Sequence, residues 1–206
     1  MIDLYERYPQ LEAIKQSIEE AAELLSKTAK QGKVILVGGN GGSASDSEHI
    51  VGELMKSFVR PRPLGRSLAE KLIETDSEHG SYLAMKLQTP IKAIALPTHT
   101  ALTTAFGNDV DPHLTFAQLT LGWGEKDGVF WGLSTSGNAK NVLMAATVAK
   151  SLGMKIIGFT GKDGGALAKI ADILIAVPET ETYKVQELHL PIYHYLCLRV
   201  EEDLFG

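Results

Sequence analysis

The sequence predicts a doubly wound α/β fold, with a five-stranded parallel sheet flanked by helices. Five short apolar runs are rich in β-branched or bulky residues and lack polar–apolar alternation, which is typical of strands buried on both faces. Helical patterns separate most of these runs, and such alternation favours a parallel sheet with right-handed crossovers. The predicted strands are residues 34–37, 93–96, 129–133, 156–159 and 173–177.

The clearest helical patterns follow three of these strands. They cover residues 45–58, 139–152 and 166–170. A last helix is predicted over roughly 185–204, and Pro191 inside it should produce a kink. The segment 60–90 is less regular. It contains a proline-rich loop or extended stretch at 60–63, a short helix at 68–73 and a turn at 77–80.

A long N-terminal helix is predicted from about residue 3 to residue 30. Leu4, Leu11, Ile18 and Leu25 recur every seven residues, which is typical of helix-on-helix packing. This seam can pack against the chain's own sheet or form a helical bundle between subunits. Its regularity favours the bundle, so we interpret residues 1–30 as an oligomerisation helix and residues 31–206 as the α/β core of a single domain.

Composition excludes several classes of protein. A chain of 206 residues with 44% hydrophobic and 22% charged residues is typical of one soluble globular domain. The net charge of −5 argues against a nucleic-acid partner, which requires a basic face. No apolar run is long enough to span a membrane, and the acidic N-terminus does not resemble a signal peptide. A single cysteine, Cys197, is compatible with the cytoplasm, which is the expected location.

The first candidate site lies after the first predicted strand. The glycine-rich turn at residues 38–43 leaves backbone N–H groups free at a helix start, where an anion such as phosphate is favoured. His49 and Glu53 follow it four residues apart, so they share a helix face. An imidazole and a carboxylate on one face can bind a divalent metal or act as an acid–base pair. The segment therefore indicates an enzyme acting on a small phosphorylated metabolite.

A nucleotide is the less favoured ligand of this turn. Gly39, Gly41 and Ala44 match the spacing of a dinucleotide fingerprint, but that fingerprint expects an acidic residue about 20 residues later, at the end of the next strand. The next predicted strand ends at Leu96, which is too far along the chain. Phosphate or sugar binding is the better interpretation.

Further polar segments lie near the carboxyl ends of the strands, where ligands bind in α/β sheets. Ser134, Thr135 and Ser136 precede a helix start, and three adjacent hydroxyls exceed what a simple N-cap requires, so they favour a phosphate site. Residues 107–109 alone predict an ordinary polar turn, and residues 160–165 a tight strand-to-helix turn.

Polar side chains also interrupt the apolar pattern of the last helix. Gln186 and His194 are eight residues apart, about 12 Å along a straight helix, and glutamine is an unusual metal ligand. Spacing alone does not select them as a pair, and a lone histidine on such a face is more often a hydrogen-bonded core residue.

In order along the chain, these segments resemble the motifs of phosphoheptose isomerases, which are sugar isomerase (SIS) domain proteins. The opening motif is Gly39-Asn40-Gly41-Gly42-Ser43 followed by Asp46, His49, Glu53 and Leu54. Residues 107–109, 134–138, 160–165 and 186–189 resemble the later motifs. The resemblance implies interconversion of sedoheptulose 7-phosphate and a manno-heptose 7-phosphate, and a homotetramer with active sites at subunit interfaces.

The resemblance also implies the roles of individual residues. Zinc would be bound by His49, Glu53, Gln186 and His194, and Glu53 and His194 would be the acid–base pair. The sugar phosphate would contact Asn40, Gly41, Gly42, Ser43, Glu53, Asn108, Asp109, Ser134, Thr135, Ser136 and Gln186.

Three departures from the family pattern bear on the substrate. Ala139 stands where a serine usually follows Ser-Gly-Asn, and Ser57 stands where an arginine is expected four residues after Glu53. The stretch of residues 65–87 is longer than the usual family connection.

Two other functions are compatible with this resemblance. One is that of a non-catalytic SIS tetramer that binds the bacterial replication initiator. That relative lacks the glutamate and the final histidine, which this chain has as Glu53 and His194. The other is a sugar-phosphate sensor, although such sensors usually carry a helix-turn-helix domain for which this chain has no room. The presence of Glu53 and His194 favours the enzyme.

Overall fold

A parallel five-stranded sheet forms the centre of the structure, a computed structural model that describes residues 3–206. The strands are β1 (Ile35–Gly38), β2 (Ala93–Ala95), β3 (Val129–Leu133), β4 (Lys155–Thr160) and β5 (Ile173–Ala176). Neighbouring strands are hydrogen-bonded in the order β2-β1-β3-β4-β5, and every pair is parallel. The predicted fold class is confirmed, and each strand lies within one residue of its predicted bounds.

Helices connect and flank these strands. They are α1 (Leu4–Arg7), α2 (Lys15–Lys30), α3 (Gly42–Met55), α4 (Arg66–Thr75), α5 (Gly80–Lys86), α6 (Thr100–Asp109), α7 (Thr115–Trp123), α8 (Lys140–Ser151) and α9 (Thr182–Phe205). The predicted helix at 166–170 is only a 3₁₀ turn, Leu167–Lys169. Between residues 3 and 206, none of the helices has the length and apolarity that crossing a bilayer requires.

The strand order contains one switch point. β1 pairs with β2 on one side and with β3 on the other, so the chain first adds a strand on one side of β1 and then crosses back to add strands on the other side. In open α/β sheets, ligands bind in the crevice at the carboxyl ends of the strands that flank such a point. The loops that follow β1 and β3 are therefore the expected walls of a binding site.

Each face of the sheet is covered by its own hydrophobic core. On one face, side chains such as Val37 and Trp131 pack with Leu25 of α2, Ile50 of α3 and Leu196 of α9. The other face of the sheet packs mainly against α7 and α8. The sheet side chains in this core are Leu36, Phe130 and Ile156, and the helix side chains are Phe116, Val142 and Ala146. Burial on both faces explains why the strand sequences lack alternation.

The N-terminal helix is present, but it is shorter than predicted. α1 ends before Pro9, and a 3₁₀ segment, Pro9–Ile14, precedes α2. Proline disfavours the helical conformation at the residue before it, and Tyr8 accordingly has φ −132° and ψ 70°. The helix therefore becomes regular only at Lys15.

The seven-residue seam packs against the chain's own core. Leu4, Leu11, Ile18 and Leu25 are at most 1% exposed and belong to the hydrophobic core shared with α9 and the sheet. The seam side chains themselves are therefore not free to contact another subunit, and the role of residues 1–30 in oligomerisation stays a prediction. A broken helix that runs against α9 presents the same period as a helix in a bundle.

The long connection after α3 forms a helical hairpin. α4 and α5 pack closely on each other, since a Cβ on Gly80 would lie 2.2 Å from the carbonyl oxygen of Leu72. The predicted short helix and the turn at 77–80 are thus confirmed.

His189 ties α9 to the end of β4. Its Nε2–H donates to the carbonyl oxygen of Thr160 at 3.3 Å, and its side chain is fully buried. Burial lowers the pKa of His189 to about 4, because the charged form would lose its hydration, and the hydrogen bond to Thr160 opposes this only weakly. The folded protein therefore keeps this imidazole neutral.

We expect Leu11→Ala to lower the free energy of unfolding by about 2–5 kcal/mol, the usual cost of a cavity in a packed core. Urea unfolding measures this loss. The matched control is Leu121→Ala, at a position 57% exposed on α7, which should change stability by less than about 0.5 kcal/mol. Equal stabilities for the two variants would contradict the assignment of the seam to the core.

We expect His189 to make the protein less stable as the pH falls from about 6.5 to 4. The unfolded chain binds a proton at the ordinary pKa of 6.5, whereas the folded chain resists protonation down to about 4. Between pH 7 and pH 5 this group should cost about 2 kcal/mol. Urea unfolding of His189→Gln should lack this component, while the exposed His113→Gln should retain it. Identical pH profiles for all three proteins would refute it.

Candidate active site

The glycine-rich turn after β1 lets α9 approach the start of α3. Gly41 has a φ of 56°, in the left-handed region that favours glycine. A Cβ on Gly42 would lie 2.6 Å from Nε2 of Gln186 on α9, so no larger residue fits there without displacing that side chain. Ser43 is buried in the first turn of α3. Gln186, remote in sequence, thus lies against the turn.

Asn40 connects this turn to the next one across the switch point. Its Nδ2 donates to Oδ1 of Asn141 at 2.9 Å, and Nδ2 of Asn141 donates back to Oδ1 of Asn40 at 2.8 Å. Asn141 lies in the first turn of α8, after β3. The loops at the carboxyl ends of β1 and β3 therefore form one continuous wall.

His49 and Glu53 share one face of α3, as their spacing predicts. Nε2 of His49 lies 3.4 Å from Oε1 of Glu53, and the Glu53 side chain is only 13% exposed. The second oxygen of Glu53, Oε2, accepts a hydrogen bond from Nζ of Lys56 at 2.9 Å. A carboxylate and an imidazole side by side on one helix face can act as an acid–base pair.

His194 of α9 completes this group. Its ring centroid lies 4.9 Å from that of His49, and its Nε2 is buried without a hydrogen-bond partner among residues 3–206. Burial holds the pKa of His194 below its ordinary value, and the neighbouring His49 lowers it further, while Glu53 acts in the opposite direction. The imidazole of His194 is therefore neutral at neutral pH, and its Nε2 has no hydrogen-bond partner within residues 3–206.

Of the four residues implied as zinc ligands, His49, Glu53 and His194 lie together where α9 packs on α3. Gln186 lies against Gly42 at the start of α3, and the four do not form a coordination shell. Across residues 3–206, no group of three or more His, Cys, Asp and Glu side chains is arranged so that it could hold a metal ion. The donor types nevertheless fit zinc, which binds imidazole and carboxylate readily. A buried polar nitrogen without a partner, as in His194, is also what an absent ligand would leave.

The hydroxyl loop, residues 134–136, uses two of its hydroxyls locally. The buried Oγ of Ser134 accepts a hydrogen bond from the backbone N–H of Ala139 at 3.3 Å, and Oγ of Ser136 accepts one from that of Asn138 at 3.2 Å. Thr135 is half-buried and Ser136 is exposed. These hydrogen bonds hold the loop in place before the start of α8, and the Ser136 side of the loop is exposed to solvent.

Two other predicted segments have different positions. Residues 160–165 form the expected tight turn and pack on the hydroxyl loop, where the Gly161 N–H donates to the Thr135 carbonyl oxygen at 2.8 Å. Residues 107–109 are not a turn, because they form the end of α6. Asn108 and Asp109 are exposed there, and Nδ2 of Asn108 donates to Oδ1 of Asp109 at 2.9 Å. No side-chain hydrogen bond within residues 3–206 connects them to the α3–α9 junction.

Tyr193 is a residue of the junction that sequence reasoning missed, and Asp46 was given no role. The Tyr193 hydroxyl donates to Oδ1 of Asp46 at 3.2 Å and lies 3.1 Å from Nδ1 of His49. Asp46 and His49 are three residues apart on α3, so their common face could be read from the sequence. Nothing in the pattern of α9 indicates that Tyr193 reaches them.

A buried ion pair at the far end of α3 was also missed. Nε of Arg62 donates to Oε1 of Glu201 at 2.7 Å, and both side chains are completely buried. Arg62 also donates to the carbonyl oxygens of Leu54 at 2.7 Å and Glu53 at 3.2 Å. The guanidinium therefore fixes the helix end that carries Glu53.

Comparison with known proteins agrees with this architecture. Two family models, each described as a SIS domain, match residues 4–89 and 92–197. The phosphoheptose isomerase of Thermodesulfovibrio yellowstonii is 38% identical over 188 residues, which is 91% of this chain and 81% of that protein. That of Burkholderia pseudomallei is 34% identical over 195 residues, which is 95% of this chain and 86% of that protein.

Solved structures give the same result. A phosphoheptose isomerase from Francisella tularensis matches with a TM-score of 0.78 at 29% identity, over 95% of this chain and 91% of that one. The phosphoheptose isomerase from Neisseria gonorrhoeae matches with a TM-score of 0.76 at 28% identity, with the same coverage. The chain therefore belongs to the phosphoheptose isomerase family of SIS domain proteins.

Proposed function

We propose that this protein interconverts sedoheptulose 7-phosphate and a manno-heptose 7-phosphate, with zinc bound at the α3–α9 junction. Family membership makes the chain a sugar-phosphate isomerase, and the particular sugar and the metal are the proposal. The observation that carries it is the meeting of Glu53, His49 and His194 where α9 packs on α3, the helix that begins at the glycine-rich turn.

The proposed chemistry needs a base and an acid on one side of the sugar. Aldose–ketose isomerisation moves a proton between adjacent carbons through an enediol, while a second group serves the carbonyl oxygen. Glu53 has a poorly hydrated carboxylate, and His194 is a neutral imidazole with one N–H and one lone pair. Together they supply the acid and the base.

Zinc bound here would supply positive charge for the developing enediolate. The residues that would hold it are His49, Glu53, Gln186 and His194. His49 and Glu53 come from one face of α3, and Gln186 and His194 come from α9, so the proposed site would draw its donors from both helices.

The phosphate end of the sugar would bind at the hydroxyl loop. Thr135 and Ser136 face outward ahead of α8, where free backbone N–H groups and the helix dipole favour an anion. Anchoring the phosphate there fixes the distance of the reacting carbons from Glu53. Ala139 cannot donate a hydroxyl, so this loop offers one donor fewer than the family pattern.

We also propose a homotetramer, as the family resemblance implies. Leu190 is 42% exposed on α9 and lines one cleft with His194 and Phe58, so an apolar surface adjoins the proposed catalytic group. A neighbouring subunit placed there would cover it and exclude water from the reaction.

We expect about one zinc ion per subunit in protein purified without chelator. A metal chelator should abolish isomerase activity, and added zinc should restore it. Elemental analysis measures the metal, and conversion of sedoheptulose 7-phosphate measures the activity. Protein that contains no transition metal, and whose activity is indifferent to both treatments, would show that the reaction needs none.

We expect Glu53→Gln to lower kcat by roughly two to four orders of magnitude, the usual contribution of a general base. The substitution preserves shape and removes the charge. The matched control is Glu48→Gln, at an exposed position on another face of α3, which should retain near-normal kcat. If Glu53→Gln is as active as its control, catalysis lies elsewhere; if the parent protein isomerises no sugar phosphate of five to seven carbons, a non-catalytic binding role is favoured.

A further inference from the structure

The two ring nitrogens of His49 have different neighbours. Nε2 faces Oε1 of Glu53 at 3.4 Å, on the side of the proposed metal and substrate. Nδ1 faces the hydroxyl of Tyr193 at 3.1 Å, on the side of the protein interior. In a neutral imidazole only one of these nitrogens carries the proton, so the neighbours decide which one has the lone pair.

The hydrogen bond of Tyr193 to Asp46 resolves this choice. The tyrosine has one hydroxyl proton, which it donates to Oδ1 of Asp46 at 3.2 Å. Its oxygen then has only lone pairs to offer, so a hydrogen bond with Nδ1 forms only if Nδ1 carries a proton and donates it. The chain Nδ1–H to Tyr193 to Asp46 therefore leaves the lone pair of His49 on Nε2.

This chain of hydrogen bonds is built into the packed interior. Tyr193 is only 1% exposed, and its ring packs edge-on against that of His49 with centroids 5.5 Å apart. A tyrosine hydroxyl, whose ordinary pKa is about 10, keeps its proton at neutral pH. The donor to Asp46 is therefore present.

We propose that Tyr193, oriented by Asp46, is a positioning residue that fixes the Nδ1–H tautomer of His49 and directs the Nε2 lone pair toward Glu53 and His194. The carboxylate of Glu53 by itself would favour the opposite form, because Oε1 can accept a hydrogen bond from Nε2–H. The geometry favours Nδ1–H, since Nδ1 and Tyr193 are within hydrogen-bond distance at 3.1 Å, whereas Nε2 and Oε1 of Glu53 form only a longer contact of 3.4 Å. The consequence of this tautomer for metal affinity rests on the zinc site of the proposed function. Hydrogen bonds of this kind orient metal-binding histidines, and their removal typically weakens binding about tenfold to a hundredfold.

The experiment compares Tyr193→Phe with Tyr195→Phe on the same helix. The Tyr195 hydroxyl donates to Glu19 at 2.5 Å, so the control also loses a buried hydroxyl bond but does not touch His49. Thermal unfolding of both variants checks the fold. Zinc affinity is measured on metal-free protein by competition with a chromophoric chelator, and ¹⁵N NMR of the histidine side chains, with His49→Gln for assignment, reports the tautomer.

We expect the parent protein and Tyr195→Phe to show the Nδ1–H form of His49, with equal zinc affinity. Tyr193→Phe should show a mixture of both forms and bind zinc about tenfold to a hundredfold more weakly. Asp46→Ala should change the tautomer itself. In this variant the Tyr193 hydroxyl no longer donates to Asp46 and is free to donate to Nδ1 of His49, so the imidazole should change to the Nε2–H form.

Two results would overturn this proposal. The first is an Nε2–H form of His49 in the parent protein, and the second is an unchanged tautomer in both Tyr193→Phe and Asp46→Ala. A parent protein that binds no zinc but shows the predicted tautomers would refute the metal part of the proposed function and support the positioning role of Tyr193.

Discussion

The position of α9 across α3 is the constraint on which the candidate site depends. His49 and Glu53 belong to α3, whereas Gln186 and His194 belong to α9. The contact is fixed at both ends. At one end Gln186 lies against Gly42, and a Cβ on Gly42 would lie 2.6 Å from Nε2 of Gln186. At the other end Glu201 and Arg62 hold the end of α3.

The ion pair of Glu201 and Arg62 is tolerated in the interior because nearly every donor and acceptor of the two side chains has a hydrogen-bond partner. A buried pair with unmet hydrogen bonds costs several kcal/mol. Here the Glu201 carboxylate also accepts the backbone N–H groups of Phe58, Val59 and Arg60 at 2.8–3.0 Å. Burial alone would raise the pKa of Glu201, and these N–H groups outweigh it and hold the pKa below its ordinary value. The pair thus fixes the segment after α3 as well as the helix itself.

The sheet could be predicted from sequence because its signals are local. A strand buried on both faces shows itself as a short apolar run, and all five were found to within one residue. The face shared by His49 and Glu53 follows from helical periodicity alone. The glycine-rich turn and the hydroxyl loop were recognised because each is contiguous in the chain.

Several errors concern partners that are distant along the chain. The period of Leu4 and Leu11 is compatible with a bundle or with the chain's own α9, and only the folded structure shows which surface covers them. The pairing of Arg62 with Glu201 spans 139 residues, and no local pattern marks it. Tyr193 precedes His194 directly, yet its role depends on how α9 is rotated against α3. Propensity and spacing carry no information about that rotation.

Features of the sheet and of the helices together position the candidate site. The switch point of the sheet places the loops of β1 and β3 side by side, and the Asn40–Asn141 pair joins them. The α3–α9 junction brings a carboxylate and a neutral imidazole together. Isomerisation of a sugar phosphate requires a group that moves a proton and a surface that binds the phosphate, and these are the roles that we propose for the junction and for the loops.

We propose the α3–α9 junction as a zinc-supported acid–base centre. Anomalous diffraction measured on both sides of the zinc absorption edge, from crystals grown without chelator, tests it most directly. We predict one anomalous peak per subunit, within coordination distance of Nε2 of His49, the Glu53 carboxylate and the His194 imidazole. Crystals with no peak at this junction, or with zinc bound only at other residues, would contradict the account.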